Sequence, residues 1–344
     1  MTYDEIIQNN VNLSKVHWWP KFAYHFTDIS NALNIIKTGK LFCRNRAEKE
    51  HVMMNDNAST QVIDMTMSGA SSYVRFYFRP MTPTQYHNEG YKHPQIRYDE
   101  YRNANVPVPI FFVFNLKKLL ADEKTQFAPI GQAGYGSNKY CGVDQFAKLN
   151  FEKIYSIGPT IDVDDKKYRH AELLYPNEYS IDNALEAIYC RNDAERATML
   201  NSLLKEDRNA YFKYREKIRI GKENMFEKNG LFIDNVLVND DSLAITFADS
   251  IAKRTYEEKR MKDKDLEKLD ELELKVTLEW LSSNGTILDM GDAKTNINYI
   301  TIGRLLLSKI PKVPKAKTLA VKIYIDDKLI NYSIYTLSEE NIIK

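Results

Sequence analysis

The stretch VPIFFVF, residues 108–114, constrains the fold more than any other part of the chain. A continuous run of aromatic and β-branched residues has no wet face, so it belongs in the middle of a sheet covered on both sides. That requirement points to an α/β arrangement for the first part of the chain. The segment AYHFTDISNALNIIKTGKLF (23–42) reads as strand, turn, helix and stop. Asp28 or Ser30 can cap the helix, while Ile29, Ala32, Leu33 and Ile36 share one face, and Gly39 suits the left-handed C-terminal position. Residues 73–78 alternate, with Tyr73, Arg75 and Tyr77 on one side of a strand and Val74, Phe76 and Phe78 on the other.

Further on, GQAGYGSNKYCG (131–142) is a loop, and its glycine spacing fits neither a P-loop nor a dinucleotide fingerprint. AELLYP (171–176) is a short strand ended by Pro176, while DNALEAIYC (182–190) and DAERATMLNSLL (193–204) read as helices, the latter capped by Asp193. After about residue 210 the texture changes. LFIDNVLV, LAITF, LKVTLEW, LAVKIYI and LINYSIY are short β-rich runs separated by NDDS, SSNG and IDDK, the pattern of an antiparallel sandwich. Two domains are expected: 1–208, and an all-β accessory domain over 209–344. Between its strands KRTYEEKRMKDKDLEKLDE (253–271) reads as a solvated helix or loop, not a binding arm.

Composition narrows the function. The 344 residues carry a formal net charge of only +1, so any nucleic-acid site must be local rather than a general basic coat. Lys and Arg do outnumber Asp and Glu over residues 21–110. No apolar run is long enough to span a bilayer and the N-terminus has no leader pattern, so a cytoplasmic protein without membrane contact is expected. Cys43, Cys141 and Cys190 form no CxxC pair, which leaves a disulfide framework or a thiolate metal site without support; no metal is expected.

Three stretches draw attention together: YHFTDISN (24–31), YVRFYFRPMTPTQYHNEGY (73–91) and KKYRHAELL (166–174). Singly each has a bland reading: His25 as a core histidine, Glu172 as a carboxylate at a strand edge, the Tyr and Arg alternation as arginine stems lying on rings. Jointly, in order and wording, they resemble the DarT-type ADP-ribosyltransferases, toxins that attach ADP-ribose from NAD to bases of single-stranded DNA. YHFTDISNALNIIKTGKL resembles the family's opening motif, FYFRPMTPTQY its second motif in the longer form of a subgroup with an extra C-terminal domain, and RHAELL the motif bearing the catalytic glutamate.

The resemblance covers about residues 20–205 and implies an ADP-ribosyltransferase-like α/β (α+β) domain with a split mixed sheet, followed by the β-sandwich-like domain. It implies NAD as co-substrate, held by His25, Thr27 and Asn31, with Tyr24 and Tyr77 offering ring faces to nicotinamide. Glu172 would face the positive charge that builds on the ribose and take a proton from the attacking base. On the nucleic-acid side Arg75, Arg79 and His87 would meet phosphate, and Gln85 and Tyr86 a base. Compact members carry a catalytic arginine ahead of the second motif; no arginine lies between Arg46 and Arg75, and the role is assigned to Arg44. The partners implied are single-stranded DNA, or RNA, and an antitoxin protein, in a toxin–antitoxin or phage-defence setting. Three other readings keep part of this pattern: a protein ADP-ribosyltransferase, an NAD glycohydrolase, and a non-catalytic single-strand-binding module.

Overall fold

The computed structural model describes residues 1–54, 69–98, 105–132, 138–158, 163–239 and 241–337. After helix α1 (Tyr3–Leu13), strand β1 (Phe22–Asp28) leads into α2 (Ile29–Thr38), β2 (Lys40–Phe42) and α3 (Arg44–Lys49). Strand β3 (Tyr73–Tyr77), α4 (Pro83–Asn88), β4 (Pro109–Asn115) and β5 (Gln126–Ala128) follow. Then come β6 (Glu172–Pro176), β7 (Glu178–Ser180), β8 (Leu185–Cys190), α5 (Asp193–Glu206) and β9 (Ile218–Ile220).

Seven of these strands form one sheet in the order β5-β6-β3-β1-β4-β8-β9, antiparallel except for the β8–β9 pair. The apolar run becomes β4, flanked by β1 and β8, with every residue from Pro109 to Phe114 buried. Phe111 packs against Tyr24 and Phe226 on one face; Phe114 packs against Phe76 and Tyr179 on the other. Both faces are therefore covered, as a strand without polar residues requires.

The β1–β4 ladder pairs all seven residues of β1, from Phe22 opposite Asn115 to Asp28 opposite Pro109. The β1–β3 ladder has a single registered pair, Tyr24 opposite Tyr77. The sheet is split between these two strands. At the end of β1 the Asp28 carboxylate accepts from the Ser30 amide at 3.0 Å and from its hydroxyl at 2.7 Å, capping α2. Gly39 closes that helix at φ 67°, where a side chain would be strained. Asp28→Ala is expected to lower stability by about 1 kcal/mol, read from the urea midpoint at unchanged slope.

The second region holds two antiparallel sheets. One is β10 (Ile233–Val238), β11 (Ser242–Phe247) and β14 (Arg304–Ser308); helix α6 (Ile251–Asp263) follows β11. The other runs in the order β13-β12-β15-β16, from Ile287–Ile297, Leu272–Leu281, Thr318–Ile325 and Lys328–Thr336. Leu243, Ile245, Val276, Trp280, Val321 and Ile323 share its core. Helix α5 docks on β16: the Thr198 hydroxyl accepts from the Tyr332 amide at 3.0 Å, and the Asn201 amide donates to the Tyr332 carbonyl at 2.9 Å.

Three expectations change. Asn192, not Asp193, caps α5, its side chain accepting from the Glu195 amide at 3.0 Å. DNALEAIYC supplies β8, not a helix, because pairing with β4 overrides a composition compatible with either state. The seam expected at 208 lies inside the first unit. Strand β9 completes the first sheet, and Met225 and Phe226 still belong to the first core. Residues 133–137 of the glycine-rich loop lie outside the described residues.

Candidate active site

Strands β1, β3 and β6 lie side by side, and Tyr24, Tyr77 and Glu172 sit opposite one another across them. Alternation puts Arg75 on the same face as Tyr77, diagonal to Glu172. The guanidinium grips the carboxylate with both prongs, Nε to Oε2 at 2.7 Å and Nη2 to Oε1 at 2.5 Å. Glu172 is 1% exposed, whereas the Arg75 side chain keeps 27% of its surface open. Burial opposes the charge on Arg75, but the adjacent carboxylate outweighs it and raises the guanidinium's pKa. The result is a buried anion in a fixed orientation beside a partly open cation.

His25 meets this pair from the other side. The next residue after Tyr24 points to the opposite face, where its ring lies edge-on to Phe76 and Phe112. Its Nδ1 is 3.1 Å from the Arg75 carbonyl, so the imidazole occupies the opening where backbone bonds between β1 and β3 have ceased. Burial lowers its pKa, partly offset by that carbonyl, which favours neutral imidazole. His25 and Glu172 thus flank the split, one bound to the backbone of Arg75 and the other to its side chain.

The remaining wall comes from β5 and its loop. Ala128 pairs with Glu172. A Cβ at Gly131 would lie 3.4 Å from Glu172 Oε1 and 3.0 Å from His170 Cβ, so the backbone at Gly131 passes close to the carboxylate. His170, overlooked in the sequence although it stands two residues before Glu172, is held to about 4 by burial and by the charges of Arg75 and Lys166. Tyr77 is half-buried, hydrogen-bonded with Thr84, and its phenol is pushed up by burial against the pull of Arg75.

Several expected site residues have other work. Tyr24 has no open ring face: it is fully buried and donates to the Trp19 carbonyl at 3.1 Å. Arg44 lies with Nη1 3.3 Å from Glu48 on α3; the arginine on the candidate carboxylate is Arg75, not Arg44, because strand register brings it there. That pairing also takes Arg75 away from the phosphate role. Arg79 is buried over the Trp19 ring, donating to the carbonyls of Pro80, Ile154 and Ser156, and burial with nearby Arg169 brings it down to about 9. Gln85 is 1% exposed and donates to Glu89 at 2.6 Å and to the Met225 carbonyl at 2.9 Å, leaving nothing for a base. His87 is held to about 3 by burial and by Lys166, Arg260, Lys92 and Lys259; a neutral ring does not pair with phosphate. Tyr86 stays partly open, edge-on to His87 and Tyr256. Thr27 is buried at the end of β1, and the Asn31 side chain accepts from the Met54 amide at 2.8 Å, tying residues 52–54 to α2.

The end of that run, residues 85–91, serves the junction of the two cores. Gly90, at φ 76°, passes Gly230 so closely that a Cβ would meet its Cα at 2.8 Å. The buried Glu89 accepts from the amides of Glu227 and Lys228, both at 2.8 Å. Lys92 is fully buried, donating to the carbonyls of Glu89 and Asn229, and burial brings it down to about 7.

A family model described as "ssDNA thymidine ADP-ribosyltransferase, DarT" matches residues 24–226. Among solved structures, Thermus sp. 2.9 DarT in complex with carba-NAD+ is 18% identical, with a TM-score of 0.47, covering 60% of this chain and 98% of that one. The same protein in complex with ADP-ribosylated ssDNA is 17% identical, with a TM-score of 0.48, covering 60% of this chain and 96% of that one. Thermosipho africanus DarTG in complex with ADP-ribose is 12% identical, with a TM-score of 0.47; 63% of this chain aligns with 53% of that chain. No curated protein matches the chain. Among the described residues no helix is long and apolar enough to cross a membrane.

Proposed function

This chain belongs to the DarT family, the ssDNA thymidine ADP-ribosyltransferases that use NAD, and on that premise we propose that Glu172, Arg75 and His25 carry its reaction at the split between β1 and β3. The observation that supports this most is the buried Glu172 carboxylate, oriented by a bidentate Arg75 whose side chain is partly exposed. The donor set fits NAD: a fixed anion for the sugar that gains positive charge, a guanidinium that orients it, and neutral imidazole for hydroxyl or amide groups.

NAD supplies the ADP-ribosyl group, its C1′–nicotinamide bond breaking with the electron pair leaving on nicotinamide. Glu172 faces the developing cation. As a base nitrogen forms its bond to C1′, the proton it loses passes to the Glu172 carboxylate and then to water. Arg75 holds that carboxylate in one orientation until the transfer. Tyr77, beside both, is the ring we assign to nicotinamide, and Thr27 and Asn31 shape the entry of the nucleotide. A base must leave a duplex before its pairing nitrogens are accessible, which favours single strands.

Incubation with NAD and single-stranded oligonucleotides, each carrying one acceptor base type, is expected to give one ADP-ribosyl adduct per released nicotinamide, seen by mass spectrometry. Nicotinamide release without an adduct would make the protein a glycohydrolase; strand binding without NAD consumption would leave only a binding module. Modification of cellular DNA is toxic, so we also assign the protein a toxin role in the cytoplasm with an antitoxin partner. Wild-type protein should then be poorly tolerated on expression where Glu172→Ala is not.

A further inference from the structure

Helix α6 of the second region reaches the edge of the transferase unit, where it meets the end of α4. The Arg260 guanidinium donates to the carbonyls of Ile96 at 3.2 Å and Arg97 at 3.0 Å and lies over the Tyr98 ring, 5.6 Å from its centroid. His87 stacks on Tyr98, with centroids 3.8 Å apart and planes inclined by 26°. Tyr86 joins edge-on to His87 at 5.2 Å and to Tyr256 of α6 at 5.4 Å. Tyr98 nevertheless keeps 53% of its surface open.

Cations from both units act on His87, while Glu227 and Asp263 act on Tyr86 and Asp263 pairs with Arg260 at 3.2 Å. Lys259 and Arg260 come from α6, and Lys166 from the short helix six residues before Glu172; all act on the His87 ring. Lys166 and Lys259 are exposed and make no ion pair among the described residues. An uncharged histidine inside a cationic rim, stacked on an open tyrosine, contributes a flat polarizable face without competing for anions. Rings flanked by unpaired lysines suit one partner chemistry above others, a single nucleic-acid strand whose bases stack and whose phosphates are neutralised.

We propose that Tyr98, His87, Lys166 and Lys259 form a stacking platform for a nucleotide flanking the acceptor base, so that the C-terminal region helps hold the DNA strand. This rests on the single-strand reading of the proposed function. Lys166 connects the platform to the Glu172 segment, and Lys259 extends it onto the second region. The run containing α6, expected from the sequence to be solvated, buries Lys253, Tyr256 and Glu257, and the platform would use its exposed Lys259.

Fluorescence anisotropy with a labelled oligonucleotide of about 15 nucleotides tests the platform without relying on catalysis. Tyr98→Ala is expected to weaken binding about ten-fold. Lys259→Ala should flatten the slope of log K against log salt by roughly 0.7, the loss of one phosphate contact on a single strand. Lys117→Ala removes an equal charge at a position paired with Asp4 and serves as control. Binding within about two-fold of wild type for both platform variants, with the salt slope unchanged, would overturn the platform. Intact oligonucleotide binding together with no adduct on any base would instead overturn the proposed function and leave the platform standing. Loss of the cooperative thermal transition in Tyr98→Ala would shift the decision to Lys259→Ala, an exposed position where packing is not at stake.

Discussion

Glu172→Gln is expected to lower the rate of adduct formation at saturating NAD and oligonucleotide by about 10³-fold or more. The substitution keeps the size and one carbonyl acceptor for Arg75, so the β3–β6 ladder has no steric reason to change. On the proposed mechanism, what disappears is the negative charge facing C1′ and the group that takes the proton from the base. Either loss alone is worth about 10² or more. Both act in the transition state, so kcat and kcat/KM should fall together while NAD binding changes little. The Arg75 charge left behind is a smaller problem than an orphan in a core, since 27% of that side chain already reaches water. Quantitative mass spectrometry of the oligonucleotide gives the rate. A variant retaining a tenth of the activity would remove Glu172 from the chemistry.

The strands that carry this site were legible because their patterns are local. The run at 108–114 has no polar face and became the buried β4; the alternation at 73–78 and the short strand before Pro176 gave β3 and β6. Alternation had even placed Arg75 and Tyr77 on one face, but only the register Tyr77 to Glu172 shows which carboxylate they meet. That register is a long-range fact. The same limit explains the residues assigned elsewhere. Nothing near Tyr24 in sequence reveals that its ring packs against Phe111, or that Arg79 is enclosed by the carbonyls of residues 154 and 156. For His87 the decisive neighbours, Lys166 and Arg260, come from distant segments. Strand β9, three residues long with two exposed, has no period to detect, so the first unit appeared to end too early.

Glu89→Ala is expected to have the largest effect on stability, a loss of about 3–5 kcal/mol. The carboxylate is fully buried between the two cores. It accepts from Gln85 Nε2 at 2.6 Å and from the amides of Glu227 and Lys228 at 2.8 Å, and Arg191 Nη1 lies 3.5 Å away. Alanine leaves two backbone amides and a side-chain amide without their acceptor, each costing about 1–3 kcal/mol when buried. Arg191 keeps Glu195, so its charge is not wholly stranded. A second offset comes from Glu227, which burial and the Glu89 charge hold at about 7; removing that charge relieves it. The offsets keep the expected loss near the lower end of the range, still a large part of the 5–15 kcal/mol typical of a folded domain. Location makes a further difference. Residues 227 and 228 lead from Phe226, at the end of the first core, to Leu231, at the start of the second, so loosening them uncouples the two. Urea unfolding followed by tryptophan fluorescence reports both units, through Trp18 and Trp19 in the first and Trp280 in the second. A single transition should become two in the variant, the physical sign that this carboxylate carries a large share of the cooperativity between the cores.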